Sequence, residues 1–324
     1  MNMKETLTVA VCMITYNHEA FIAQAIEGVI AQETDFLCKL FIAEDCSTDR
    51  TREICLQYKK KYPDKIELIL NKQNLGMIPN FIQALKACFA YSKYTALCEG
   101  DDYWIDPYKL QRQVGFLEAN TDFTICFHSV KIVHDDASMT LEISNKNQKE
   151  ITTFEDLASG NFIHTPSCVF RNNLFDEFPE WFYDCAIGDW ILHLLNAEHG
   201  KIKYLNDVMA VYRVHGGGVW SLLNLNKKSR DTIKVAEYCK NCFAPRGAKQ
   251  FSKLLAACYA NLCFLSFEEA HFREHRHYYH KCLKAAQYIR LRLLFNLTIR
   301  YFLSYFPTLA ASYKSKLVKA KSVV

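Results

Sequence analysis

The feature that most restricts the fold is an alternation in the first hundred residues. Short apolar, β-branched runs take turns with segments of helical spacing. "LTVAVCMIT" (7–15) is a nearly continuous apolar run, the pattern of a strand covered on both faces. After a turn at "YNHE", the stretch "AFIAQAIEGVIAQ" sets Phe21, Ile22, Ala25, Ile26, Val29 and Ile30 at helical spacing. "KLFIAED" repeats the strand pattern, and "CSTDRTREICLQYKKKYP" opens with capping residues and stops at Pro63, as a helix does. "KIELIL", "IPNFIQALKACFAYS" and "YTALCEG" extend the series to β-α-β-α-β-α-β. That order predicts a parallel sheet with right-handed crossovers and helices on its faces.

Ligands of such sheets bind beyond the carboxyl ends of the strands. Three polar clusters fall there: "TYNHE" after the first strand, "EDCSTD" after the second and "EGDD" after the fourth. The last brings Glu99, Asp101 and Asp102 within four positions. Like charges this close repel and resist burial, and a hard divalent cation relieves them while bridging a substrate's phosphates. The competing reading is a solvated loop ahead of the helix "DPYKLQRQVGFLEAN". Ser47, Thr48 and Asp49 fit helix capping, whereas Asp45 comes too early for that and is expected free to accept a ligand N–H.

Further along, "FTICFHSVKIV" reads as a strand, followed by a polar excursion from Asp135 to Lys149, then "TPSCVFR", the helix "IGDWILHLLNAEHG" and "KIKYLNDVMAVYRVHGGGVWS". Asp189 opens that helix and, on the residues alone, suits an acid facing the helix dipole. "VYRVHGGGVWS" pairs Arg213 and His215 with three glycines and Ser221, a combination able to fold over phosphates or to act only as a turn. From about Asn224 the pattern is wholly helical, with a helical hairpin and a basic, aromatic tail. From His275 onward there are ten Lys or Arg and no Asp or Glu, which leaves 29 basic against 35 acidic residues before it. The tail therefore suits either an anionic membrane interface or packing on protein. The 14 cysteines are scattered through apolar runs and read as small buried hydrophobes of a reducing compartment. "CKNC" lacks a matching second pair, and "HFREHRHYYH" lies on an amphipathic helix without Cys at ligand spacing, which argues against zinc at either. The N-terminus lacks a signal-peptide core, and no window of about 20 residues is free of charge.

"VAVCMITYNHEAFIAQAIEGVIAQ", "LFIAEDCSTDRT", "NKQNLGMIPNFIQAL" and "ALCEGDDYWIDPYKLQRQVGFL" together resemble, in order and spacing, the successive motifs of the family-2 glycosyltransferases, over residues 6 to 221. The resemblance implies a GT-A-type, Rossmann-like α/β fold with a mostly parallel sheet and flanking helices, here followed by a helical C-terminal region. It implies a donor site built from Thr15, Tyr16, Asn17, Glu19, Asp45, Asn74, Gly76, Glu99, Asp101, Arg213 and Ser221. Asp101, Asp102 and His215 would hold Mn²⁺ or Mg²⁺, and Asp189 would be the catalytic base. Members commonly carry Asp where this chain has Glu99, and Glu-Asp where it has Gly188 and Asp189, so Asp189 is the sole acid at that place. "HTPSCVFRNNLF" resembles the stretch lining the acceptor side, and Trp104, Trp181 and Trp190 are candidate sugar platforms.

The expected organisation is a catalytic domain over 1–223, with a nucleotide-binding half (1–105) and an acceptor half (106–223), then a helical region over 224–324. The expected activity is inverting transfer of a hexosyl or N-acetylhexosaminyl group from a nucleotide-sugar, foremost a UDP-sugar, to a hydroxyl of a surface-glycan or lipid-linked acceptor. The expected place is cytoplasmic, peripheral at the inner face of the cell membrane through the basic tail, with homo-oligomerisation as the other use of that tail and no nucleic-acid partner. A metal-dependent nucleotidyltransferase would show a Gly-rich basic loop after its first strand, and "TYNHE" supplies none. A catalytically silent glycan-binding module is at odds with the intact set Asp45, Asp101, Asp102 and Asp189.

Overall fold

The computed structural model describes residues 7–134, 142–218, 220 and 223–321. The chain forms two compact units, which part at Leu157 to Asn161 and again at Leu222 to Leu223.

The first unit opens with β1 (Thr8–Thr15), α1 (Ile22–Ile30), β2 (Leu37–Glu44), α2 (Thr51–Lys61), β3 (Ile66–Leu70), α3 (Met77–Tyr91) and β4 (Tyr94–Leu97). It continues through β5 (Tyr103–Trp104), α4 (Lys109–Ala119), β6 (Phe123–His134), β7 (Glu142–Ile143), β8 (Ile151–Thr152) and α5 (Phe154–Leu157). β9 (Val169–Arg171), α6 (Gly188–Ala197) and β10 (Lys201–Val214) complete it. Strands β3-β2-β1-β4 lie side by side and all parallel, as the alternation requires, and the order continues β9-β6-β10-β5. β10 runs parallel to β6, while β9 is antiparallel to both β4 and β6, and β5 is antiparallel to β10. The sheet is thus mostly parallel but mixed. The short strand β9 enters it from a 3-10 turn at Thr165–Ser167, with no helical crossover to enforce a parallel direction.

The β1 run is apolar throughout because both its faces are covered. Val9, Val11 and Met13 share one buried cluster with Ile22, Ile26 and Val29 of α1. Each such side chain contributes roughly 1.5–3 kcal/mol on burial. α1 also lies tight on β5, where a Cβ at Gly28 would come within 2.8 Å of the Trp104 carbonyl oxygen. Lys109 is an unexpected core member. Its ammonium sits 4.0 Å from the Trp104 ring centre with no hydrogen-bond partner, and burial pushes its pKa down to about 8.

The second unit is helical: α7 (Leu225–Cys242), α8 (Ala248–Glu268), α9 (Phe272–Lys284), α10 (Leu291–Leu303) and α11 (Pro307–Lys321). Packing of α8 against α9 forms the helical hairpin seen in the sequence pattern.

Candidate active site

At the carboxyl ends of β1 and β2 the chain leaves each strand abruptly through a left-handed residue, Asn17 (φ 55°) and Cys46 (φ 60°). The two loops are then laced together. Asn17 N donates to Ser47 Oγ at 3.0 Å and Asn17 Oδ1 accepts from Thr48 N at 2.8 Å. Glu19 N donates to Asp49 Oδ2 at 3.0 Å, and Arg50 N to Glu19 Oε2 at 3.0 Å. Ser47 and Thr48 therefore brace loops instead of capping α2; Asp49 does both, since its Oδ1 also accepts from Thr51 N at 2.9 Å. Glu19, read as a donor ligand, has one carboxylate oxygen engaged in this brace. Thr15 is buried below, while Tyr16 stands exposed above the strand end.

Asp45 is buried and, contrary to expectation, is not free. Its Oδ1 accepts from Asn71 Nδ2 at 2.8 Å and Leu75 N at 2.9 Å, and its Oδ2 from Gly76 N at 2.9 Å. The Asn74 side chain accepts from the same Gly76 N at 3.0 Å. Asp45 thus shapes the loop that starts α3, where Gly76 takes φ 85°, and only Oδ2 keeps a clear acceptor position for a ligand.

The β4 end is built differently. Gly100 lies so close to β1 that a Cβ there would sit 2.6 Å from Thr15 Oγ1 and 3.0 Å from His18 Nδ1. That approach carries the flanking acids to the β1 end. Asp102 Oδ1 accepts from Arg213 N at 2.9 Å, and His215 Nε2 lies 2.9 Å from Asp101 Oδ2. His18 Nε2 is 3.8 Å from the same oxygen. Asp101 Oδ1 and Asp102 Oδ2 are buried and accept no hydrogen bond. Burial raises Asp102 well above the usual carboxylate range, aided by the charges of Asp101 and Glu99. Glu99 is raised by burial and by Asp101 and Asp189. At Asp101 burial also works upward, but the His215 hydrogen bond and the charges of His18 and His215 overcome it and hold the group low. Two overlapping trios, His18–Asp101–His215 and Glu99–Asp101–Asp102, each bring ligand atoms within 4.8 Å of one another. Buried carboxylate oxygens without donors, beside neutralisable imidazoles, are what a divalent cation needs, so these residues fit one.

Arg213 is held within this cluster. Its guanidinium lies over Tyr103 (4.4 Å) and Phe21 (5.0 Å) and donates to the Asp101 carbonyl and to Gln24 Oε1. Its reading as a bidentate phosphate partner must share the guanidinium with those bonds. Ser221 lies outside the described residues.

Asp189 stands in the first turn of α6. Its Oδ1 accepts from Trp190 N at 2.8 Å and its Oδ2 from Asn161 Nδ2 at 2.9 Å. Burial raises its pKa while these bonds work against the rise. Its charge acts on Glu99, which ties it electrostatically to the acidic cluster. The preceding Gly188 is pressed onto α3, where a Cβ would meet Ile78 Cδ1 at 2.9 Å. Two of the proposed sugar platforms are core residues instead. Trp104 and Trp190 are buried, and their indole N–H groups donate to the Pro166 and Leu157 carbonyls at 2.9 and 3.0 Å. Trp181 is half-buried in a short 3-10 turn. Sequence reasoning named neither His18, although it sits in the "TYNHE" cluster, nor Asn161, whose partner is 28 positions away.

A mostly parallel α/β sheet with a carboxylate cluster beyond β4 and flanking helices is the GT-A architecture. The chain belongs to glycosyl transferase family 2: residues 10–178 match the model of that family. The uncharacterized protein Rv1520 of Mycobacterium tuberculosis is 38% identical over 212 residues, covering 65% of this chain and 60% of its own length. The chain thus spans 60% of the length of that curated relative. Among solved structures, Staphylococcus aureus TarS 1–349 in complex with UDP-GlcNAc superposes with a TM-score of 0.62 at 17% identity, covering 96% of this chain and 92% of that one. The mannosyltransferase PcManGT of Pyrobaculum calidifontis, in complex with GDP-Man and Mn²⁺, gives 0.55 at 14% identity, covering 92% and 87%. At such identities these two likenesses speak for the fold alone.

Proposed function

We propose that the protein moves a hexosyl or N-acetylhexosaminyl group from a UDP-sugar to a hydroxyl of a surface-glycan or lipid-linked acceptor, with inversion at the anomeric carbon. The observation that carries this reading is the pair of donorless buried oxygens, Asp101 Oδ1 and Asp102 Oδ2, beside Glu99, on which the charge of a separate half-buried carboxylate, Asp189, acts. The first is the chemistry of a diphosphate-bridging metal site, and the second that of a base.

In this reading residues 1–223 are the catalytic domain and 224–324 a helical addition. Tyr16, Asn17 and the remaining acceptor position of Asp45 face the nucleotide. Asp101, Asp102 and His215, joined by His18, would hold Mn²⁺ or Mg²⁺. Such an ion, when bound, would supply Lewis-acid neutralisation of the charge on the departing diphosphate. Asp189 takes the acceptor proton as the acceptor oxygen bonds to the anomeric carbon and the bond from that carbon to the diphosphate breaks. Asn161 and Trp190 N aim the carboxylate and favour its ionised form. One displacement assisted by one base inverts the centre. Of the two superposed complexes one holds UDP-GlcNAc and the other GDP-Man, so both nucleotides enter the donor test.

The test is incubation with a panel of UDP- and GDP-sugars and Mn²⁺. UDP release from one UDP-sugar, abolished by EDTA, with an acceptor product of opposite anomeric configuration by NMR, is the expected result. Formation of UTP or GTP together with a sugar 1-phosphate, once pyrophosphate is added, would point instead to nucleotidyl transfer.

A further inference from the structure

Helix α10 is fastened to its unit by its inner side. Leu297 and Arg300 are buried, and Arg300 pairs with Glu268 and lies over the Phe264 ring at 4.3 Å. Arg276 donates to the Ser304 carbonyl at 3.0 Å, and Lys314 of α11 to the Glu268 carbonyl at 2.7 Å. The outer side is the reverse of what water favours. Leu291 is 84% exposed, Phe295 66% and Phe302 64%. At roughly 100° per residue these three, with half-buried Ile299, fall within about 80° of arc. Phe306 and Leu309, also more than half exposed, follow at the turn into α11. This is a continuous stripe, and such stripes mark contact surfaces.

Charge selects the occupant. The stretch from His275 to the C-terminus holds ten Lys or Arg and no acid, and Lys284, Arg290 and Arg292 around the start of the stripe are exposed. A second copy docking through this same face would set cations against cations. Nucleic acid would satisfy the cations but leave the Leu and Phe stripe in water. The 13 residues of α10 span only about 20 Å, short of a hydrocarbon core of about 30 Å. Among the described residues no helix is long and apolar enough to cross a membrane. A short helix with an apolar face and basic flanks lies in the plane of an anionic interface.

We propose that the outer face of α10, from Leu291 to Phe302 and on to Leu309, seats the protein on an anionic lipid surface. Leu291, Phe295 and Phe302 enter the acyl boundary, and Lys284, Arg290 and Arg292 meet the head groups. The proposal is independent of the donor chemistry above.

The experiment is flotation of the full chain with phosphatidylcholine vesicles, with and without phosphatidylglycerol. Binding is expected to the anionic vesicles, weaker to the neutral ones, and reduced by salt. The triple variant Leu291→Ser, Phe295→Ser, Phe302→Ser should partition at least about a hundredfold less, since three large apolar side chains no longer enter the acyl boundary. These side chains face outward, so an unchanged circular dichroism spectrum and urea unfolding midpoint serve as the check on folding. The double variant Arg290→Glu, Arg292→Glu gives a second route, with loss expected on anionic vesicles only. Equal flotation of the wild type and both variants overturns the proposal. So does a wild type that stays unbound, or one that is dimeric and becomes monomeric in the triple variant without ever floating.

Discussion

Asp45 and Asp102 are both buried aspartates at the carboxyl ends of parallel strands of one sheet, yet their surroundings are opposite. Asp45 receives three donors, two of them backbone N–H groups of the loop it organises. Asp102 receives one, on Oδ1, and keeps Oδ2 buried without any. A carboxylate supplied with donors is stabilised in its charged form; one lodged beside other acids without donors is destabilised and pushed toward protonation. The first kind builds structure, and the second stores an electrostatic cost that a cation can relieve. Position at a strand end does not separate the two. Donor supply does.

The largest effect is expected at Asp189, a half-buried carboxylate with donors on both oxygens but a proposed role in the reaction itself. Asp189→Asn should lower kcat by at least about a hundredfold, the usual range for a lost general base. Donor affinity by calorimetry should barely change, because the metal and nucleotide groups are untouched. Near-normal turnover would reduce Asp189 to a helix-terminal acid.

The contrast between the aspartates predicts opposite signs in stability. Asp45→Ala leaves Leu75 N without its acceptor, while Gly76 N keeps Asn74 Oδ1 and Asn71 Nδ2 keeps Asn80 Oδ1, and should cost about 1–3 kcal/mol by urea unfolding. Asp102→Asn removes a like charge from the metal-free cluster and should leave stability unchanged or raise it by about 1 kcal/mol. Equal losses at both positions would erase the distinction.

Lys109 offers the cationic version of an unsupplied charge, without a site around it. Its folded pKa of about 8 lies below the ordinary value of about 10.4, so between these pH values the unfolded chain binds more protons. Stability should therefore rise with pH across that window and be lowest below it. Lys109→Met should stabilise the protein by about 1–2 kcal/mol at pH 7 and flatten that rise, read from unfolding curves between pH 7 and 10.

The smallest effect concerns the pH profile. Burial raises Asp189, so the acid limb of kcat should lie above the ordinary aspartate value of about 3.9, with activity falling as pH drops through it. Asn161→Ala removes a bond to the charged form and should move that limb up by roughly one unit.

These contrasts also mark how far the sequence reaches. The parallel half of the sheet is legible because a strand covered on both faces must be apolar throughout, as "LTVAVCMIT" is. The three strand-end clusters are legible because parallel topology sends their loops to one edge. What happens to each polar group there is not, since it depends on donors remote in the chain. Asp45 is filled by Leu75 and Gly76 some 30 positions away, and Asp189 by Asn161 from 28 positions upstream. The antiparallel entry of β9 follows from its non-helical approach, which no periodicity announces. Lys109 looks like an ordinary helix start and Trp104 like a candidate sugar platform in "YWIDPYKL"; only tertiary packing makes them core.

The most direct measurement is calorimetric titration of Mn²⁺ into the protein with UDP present, for the wild type, Asp102→Asn and Asp45→Asn. The account predicts metal-dependent UDP binding that weakens by about a hundredfold in Asp102→Asn, the loss of a charged ligand being worth a few kcal/mol. Asp45→Asn should lose far less metal affinity, because its carboxylate is already filled by the protein. UDP affinity that is indifferent to EDTA, or metal affinity that falls equally in both variants, would contradict it.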